Sequence, residues 1–281
     1  MEKINTVLFK STDYLKKNNI TSAALDSELL LSSIINKSRE EMIIDSEDKI
    51  DEINIKKFKN LIERRKNREP VAYILNKKDF WTSTFYVNKD VLIPRPDTEI
   101  LIQEVLSYFP EKKSISVLDI GTGSGCIILS LLKDRKKFKG IAIDKSKKAL
   151  KVAEINAKIH QLENRVKFIK TSVDNFFKGK YDLIISNPPY IKHIDLKYLD
   201  KDVYKYEPTI ALKGGNDGLT LIKTIVKKSS NLLKKGGKLI FEIGYDQKVK
   251  VKNLLKNEKF YVNKIVKDYG NKNRCIICTK I

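Results

Sequence analysis

Histidine, cysteine and tryptophan are nearly missing from this chain of 281 residues, which holds 2, 3 and 1 of them. Each scarcity excludes something. Cys126, Cys275 and Cys278 are odd in number and spread through a long chain, which argues against a disulfide framework. Cys275 and Cys278 form a CxxC inside RCIICTK, a segment that reads as a strand. Residues three apart on a strand face opposite ways, and no second CxxC or nearby histidine completes a zinc set. No metal is expected. His160, on a charged helix, reads as a surface residue. His193 reads as a solvated loop histidine in preference to a general base, a role that needs a demonstrated hydrogen-bond geometry. No apolar run approaches the ~20 residues needed to cross a bilayer, so no membrane partner is expected. The opening MEKINTVLFK lacks the continuous apolar stretch and cleavage site of a secretory signal. The expected location is the cytoplasm.

What is present is typical of a globular chain, 41% hydrophobic and 32% charged, long enough for one large or two modest domains. The net charge of +21 invites a nucleic-acid partner. The basic residues are mostly lysine and run along the whole chain without gathering into a stripe. With isoleucine and asparagine also abundant, the composition fits AT-rich codon bias, so nucleic acid is not required by it.

Residues 3 to about 68 carry helical periodicity. In SAALDSELLLSSII, Ala24, Leu25, Leu29, Leu31 and Ile35 recur at helical spacing after Ser22, a candidate cap. Ile55, Phe58, Leu61 and Ile62 share a face of a second helix whose basic C-terminal end suits the helix dipole. A texture of aromatic and β-branched residues then suggests a short bridging hairpin. After it, strands and helices alternate, and two strands close the chain without a helix between them. That pattern predicts an α/β fold with a mainly parallel sheet and an antiparallel edge hairpin. The domains expected are 1–72 (helical), 73–96 (hairpin linker) and 97–281 (α/β).

Two motifs carry chemistry. In VLDIGTGSG a strand runs into glycines 121, 123 and 125, which let backbone approach a ligand before the next helix. GxGxG spacing disfavours a dinucleotide. Asp144 ends the following strand about 20 residues on, where a carboxylate can hold ribose hydroxyls; a plain helix cap is the bland alternative. The second motif is YDLIISNPPY, a buried strand stopped by Asn187, Pro188, Pro189 and Tyr190. The prolines hold this backbone extended, fixing two acceptors, the Asn187 side-chain oxygen and the Pro188 carbonyl. A planar NH2 group is a poor nucleophile because its lone pair is delocalised. Two acceptors gripping its hydrogens turn that lone pair toward an electrophile, a gain from orientation and electrostatics, with Tyr190 expected as an aromatic wall.

The glycine loop followed by an acidic strand end resembles the class I methyltransferases, a Rossmann-like fold of seven strands that binds S-adenosylmethionine. The resemblance implies that Gly121, Thr122, Gly123, Ser124, Gly125, Asp144 and Asn187 line that co-substrate. It places Ser172 and Val173 beside adenine, with Asp174 the alternative if the register shifts by one. NPPY belongs to methyltransferases acting on planar nitrogens of DNA, RNA or protein. REPVAYIL, LIPRPDTE, EPTIAL with GGNDGL, and DYGNKNR are similar, in order and spacing, to the bacterial release-factor glutamine methyltransferases (the PrmC/HemK family). That resemblance covers nearly the whole chain. It implies methyl transfer to the N5 amide of the Gly-Gly-Gln glutamine in class I peptide chain release factors, with Asn187, Pro188 and Tyr190 catalytic, Pro189 also binding substrate, and the helical domain engaging the partner. An adenine-N6 DNA methyltransferase is the main rival, and a non-catalytic RNA-binding module the second. Arg95 and Glu207 are candidates to pair across the cleft.

Overall fold

N-terminal periodicity is realised in helices Ile4–Lys17, Ala23–Ile35, Arg39–Ile44, Glu52–Lys66 and Val71–Ile74. A capping box between Ser38 and Glu41 starts the third, and the Asp51 carboxylate accepts from the Asn54 amide to start the fourth. Ile55, Phe58 and Ile62 point into the core as expected. The second helix is rotated from its expected phase. Its buried residues are Ala23, Asp26, Ser27, Leu30 and Leu31, while Leu25 faces out. The cause is an ion pair: Asp26 is drawn inside to meet the buried Arg65 guanidinium at 2.6 Å, which apolar periodicity does not register.

The computed structural model describes residues 1–281 and divides into two units, Met1–Lys77 with Asp200–Tyr206, and Lys78–Leu199 with Glu207–Ile281. The first unit thus takes in a helix, Lys201–Tyr206, from far along the chain; Asp202 meets Arg65 at 2.7 Å. Within 73–96 the chain passes from the first unit to the second, at Lys77 and Lys78. Ile74 is buried among the N-terminal helices, whereas Phe80 and Phe85, from the hairpin Lys77–Phe80 and Ser83–Tyr86, are buried in the core beneath the large sheet. Between Ile74 and Phe80, Asn76, Lys77 and Asp79 are exposed.

The second unit is built on seven strands: β1 (Ser116–Ile120), β2 (Lys139–Asp144), β3 (Val166–Lys170), β4 (Tyr181–Ser186), β5 (Leu233–Glu242), β6 (Phe260–Lys267) and β7 (Asn273–Lys280). Their order across the sheet is β6-β7-β5-β4-β1-β2-β3. β7 runs antiparallel to both its neighbours, and the remaining pairs are parallel. Successive residues of each strand feed opposite cores: Val117, Leu183 and Cys275 pack on one face, Leu118, Ile184 and Cys278 on the other. The CxxC cysteines are therefore separated by the sheet. Strand order reverses between β1 and β4, so a crevice opens at their carboxyl ends. No helix is long and apolar enough to cross a membrane.

Candidate active site

β1 delivers the glycine loop to that crevice. The Gly121 and Thr122 amides donate to the Ile143 carbonyl at 2.9 and 3.1 Å, lashing the loop to β2. Gly121 and Gly123 adopt φ of +75° and +56°, and no atom lies within 4 Å of where a Cβ would stand on either. Their backbone is bare toward the cavity. Gly125 is needed for close packing instead. A Cβ there would meet that of Ala153 at 3.2 Å, so this glycine packs against helix Lys147–Ile159 and does not line the cavity.

Asp144 sits at the end of β2, its Oδ2 accepting from the Gly123 amide at 3.0 Å and its Oδ1 from Ser146 at 2.8 Å. Each oxygen keeps a further lone pair, and burial raises the carboxyl pKa. Asp119, one residue before the end of β1, is fully buried; its Oδ2 accepts from the Thr122 hydroxyl at 2.7 Å and its Oδ1 has no partner. Burial pushes its pKa up to about 7.

The loop opens on a cavity of about 430 Å³, within the size range of roughly 300–1,000 Å³ of small-molecule sites. Thr122, Ser124 and Asp144 line it from one side, and Ser172, Val173 and Asp174 together from the end of β3, so both adenine registers proposed from the sequence face it. Asn187 and Pro189 line it from the end of β4. His193, expected on a loop, instead opens a short 3-10 helix, His193–Tyr198; it is exposed, and its amide donates to the Gly215 carbonyl. His160, expected at the surface, instead lays its ring 4.9 Å from that of Phe85, and burial lowers its pKa.

Asn187 is held by a chain of buried groups. Its Nδ2 donates to the Thr98 hydroxyl at 3.0 Å, and that hydroxyl donates to Glu242 Oε2 at 2.7 Å. Neither Asn187 Oδ1 nor the Pro188 carbonyl receives a hydrogen bond from the protein. Pro188 is buried and does not line the cavity. Nor does Tyr190, the expected aromatic wall. Its hydroxyl turns inward to Glu242 Oε1 at 2.8 Å, because a carboxylate buried to 2% exposure needs donors on both oxygens. Arg274 donates to the Tyr190 hydroxyl at 3.2 Å and pairs with Asp268 at 2.9 Å. Burial raises the Glu242 pKa, against the pull of Thr98, Tyr190 and Arg274.

The turn after β4 is backed by GGNDGL. A Cβ on Gly214 would stand 2.8 Å from Tyr190 Cα, and Gln247 Nε2 bridges the Tyr190 and Gly218 carbonyls. Asp217 caps the approach to helix Thr220–Leu232 through the Leu219 amide. Arg95 and Glu207 do pair, at 2.5 Å, and Glu207 also accepts from the Ile93 amide.

Four residues that sequence reasoning did not single out hold this arrangement: Thr98, Asp119, Asn156 and Glu242. Asn156 is fully buried; it bonds Tyr86 through both its amide and carbonyl and donates to Ser124 O, tying the glycine loop to the hairpin. Their signal was present as lone polar residues on apolar strands or helix faces, LIFEI and AEINAKI among them.

Family models match in two places: the PrmC N-terminal domain over residues 6–75 and the methyltransferase small domain over 97–201. The release factor glutamine methyltransferase of Clostridium acetobutylicum is 38% identical over 281 residues, covering 99% of each chain. That of Buchnera aphidicola is 39% identical, covering 94% of this chain and 95% of its own. Among solved structures, a methyltransferase from Pyrococcus furiosus superposes with a TM-score of 0.53 at 19% identity, over 70% of this chain and 88% of the other. That likeness shows the fold.

Proposed function

The chain belongs to the release factor glutamine methyltransferases, and from that membership we propose how its residues carry the reaction. The protein transfers a methyl group from S-adenosylmethionine to a release factor glutamine. The acceptor we assign is the N5 side-chain amide of the Gly-Gly-Gln glutamine in class I release factors.

The residues present suit S-adenosylmethionine. Bare backbone at Gly121 and Gly123 accepts a ligand where any side chain would intrude, Asp144 has lone pairs for ribose hydroxyls, and Asp119 offers a buried oxygen without a partner. Thr122 and Ser124 complete the loop wall, and Ser172, Val173 and Asp174 flank the adenine end. S-adenosylmethionine supplies an electrophilic methyl on a sulfonium. Asn187 Oδ1 takes one amide hydrogen of the glutamine from the cavity wall, and the Pro188 carbonyl, set behind that wall but claimed by no protein donor, is assigned the other, so that the nitrogen is held with its lone pair toward the cavity. Pro189 borders the same space. Tyr190 contributes by anchoring the turn from behind. The helical unit is assigned to engaging the release factor, and the cytoplasm, where translation ends, is the assigned location.

The observation that carries this reading is that Asn187 enters the Gly121–Asp144 cavity with its oxygen unclaimed. Incubation with methyl-labelled S-adenosylmethionine and either purified release factor or duplex DNA tests it. Label is expected on the release factor and lost when its Gly-Gly-Gln glutamine is substituted. Label on DNA and none on protein overturns it.

A further inference from the structure

We propose that Thr98 and Glu242 are positioning residues that set which way round the Asn187 carboxamide stands, and so present its oxygen to the substrate amide. The inference rests on the acceptor role just assigned to Asn187. An asparagine amide has a donor arm and an acceptor arm of nearly equal shape, and a flip exchanges them. The energy difference between the two orientations must come from the neighbours. Here the neighbour at 3.0 Å is the Thr98 hydroxyl, which has one proton.

That proton is committed. As a carboxylate, Glu242 can only accept; it takes the Thr98 proton on Oε2 at 2.7 Å and the Tyr190 proton on Oε1 at 2.8 Å. Thr98 is left with lone pairs toward Asn187, so the arm facing it must be the NH2. With the arms flipped, Oδ1 would face those lone pairs at hydrogen-bond distance with no proton between them. Burial of Thr98 and Glu242, each 2% exposed, keeps water from supplying one. The far end is also anchored: Arg274, itself paired to Asp268, donates to the Tyr190 hydroxyl at 3.2 Å and so leaves that hydroxyl's own proton for Glu242. Three separated segments, LIPRPDTE, LIFEI and DYGNKNR, thus converge behind NPPY to fix a single amide.

The test is a set of kinetic cycles on the full chain with release factor as substrate. Thr98→Val keeps the shape and removes the hydroxyl; Thr98→Ser restores it; Glu242→Gln keeps the volume and lets an NH2 compete for the Thr98 oxygen. Thr98→Val and Glu242→Gln are expected to lower kcat by about tenfold each, the weight of one oriented hydrogen bond. S-adenosylmethionine affinity by calorimetry should hold, and Thr98→Ser should recover most of kcat. Measured again in an Asn187→Ala background, Thr98→Val and Glu242→Gln should cost nothing further, since there is no amide to orient. Equal losses in both backgrounds, or unchanged kcat in the presence of Asn187, would overturn the proposal while leaving the acceptor role intact. If Asn187→Ala alone keeps full turnover, the acceptor role fails first, and the proposal falls with it.

Discussion

Asn187 is the residue on which turnover is expected to depend most steeply. Replacing it with alanine removes one preorganised acceptor, worth on the order of 3 kcal/mol in the transition state or about a hundredfold in kcat, while S-adenosylmethionine still binds the loop and Asp144. Single-turnover methyl transfer beside calorimetric binding separates the two effects; parallel losses in both would count against the assignment. Asp119 makes a different prediction. Its carboxyl pKa stands near 7 in the fold, against ~4 when exposed. Such a group favours the folded state at low pH, and that contribution is lost as pH rises from ~4 through about 7. Thermal melts across this window should show the native protein losing stability relative to Asp119→Asn as pH rises. Parallel melting curves for the two proteins would refute it.

At the scale of elements, the turn after β4 depends on what lies behind it. Gly214→Ala would press a methyl into Tyr190 Cα, at 2.8 Å, and overpacking of this kind costs about 1–3 kcal/mol. Since the methyl pushes on the segment that carries Asn187, kcat should fall along with the urea midpoint, and S-adenosylmethionine affinity should hold. The glycine-loop strand and the NPPY strand could be read from the sequence because a strand, its glycines and its stopping prolines are local signals. The phase of Ala23–Ile35 could not. A buried aspartate there answers an arginine 39 residues later, and no periodicity within the helix itself encodes that partner.

Across the whole molecule, the two units can be perturbed separately. Arg65 is the cation for both Asp26 and Asp202, at 2.6 and 2.7 Å; Arg65→Met strips the pairing from two carboxylates, and breaking a buried pair costs about 3–5 kcal/mol. The single tryptophan, Trp81, lies in the second unit, so its fluorescence follows that unit while far-UV circular dichroism weighs the N-terminal helices. In urea the dichroism midpoint of the variant should drop ahead of the fluorescence midpoint; coincident, unshifted transitions would contradict the role given to Arg65. By itself the sequence determined the alternation of strands and helices, the bare glycine loop, the acidic end of β2 and the kink at Asn187, because each depends on residues adjacent in the chain. Only the tertiary structure decided what stands behind the kink. Thr98 and Glu242 are 144 residues apart and meet because β5 is laid beside β4 with the Thr98 segment packed over their ends. A hydrogen bond acts over about 3 Å, so its partners are chosen by the folded sheet order and not by distance along the chain.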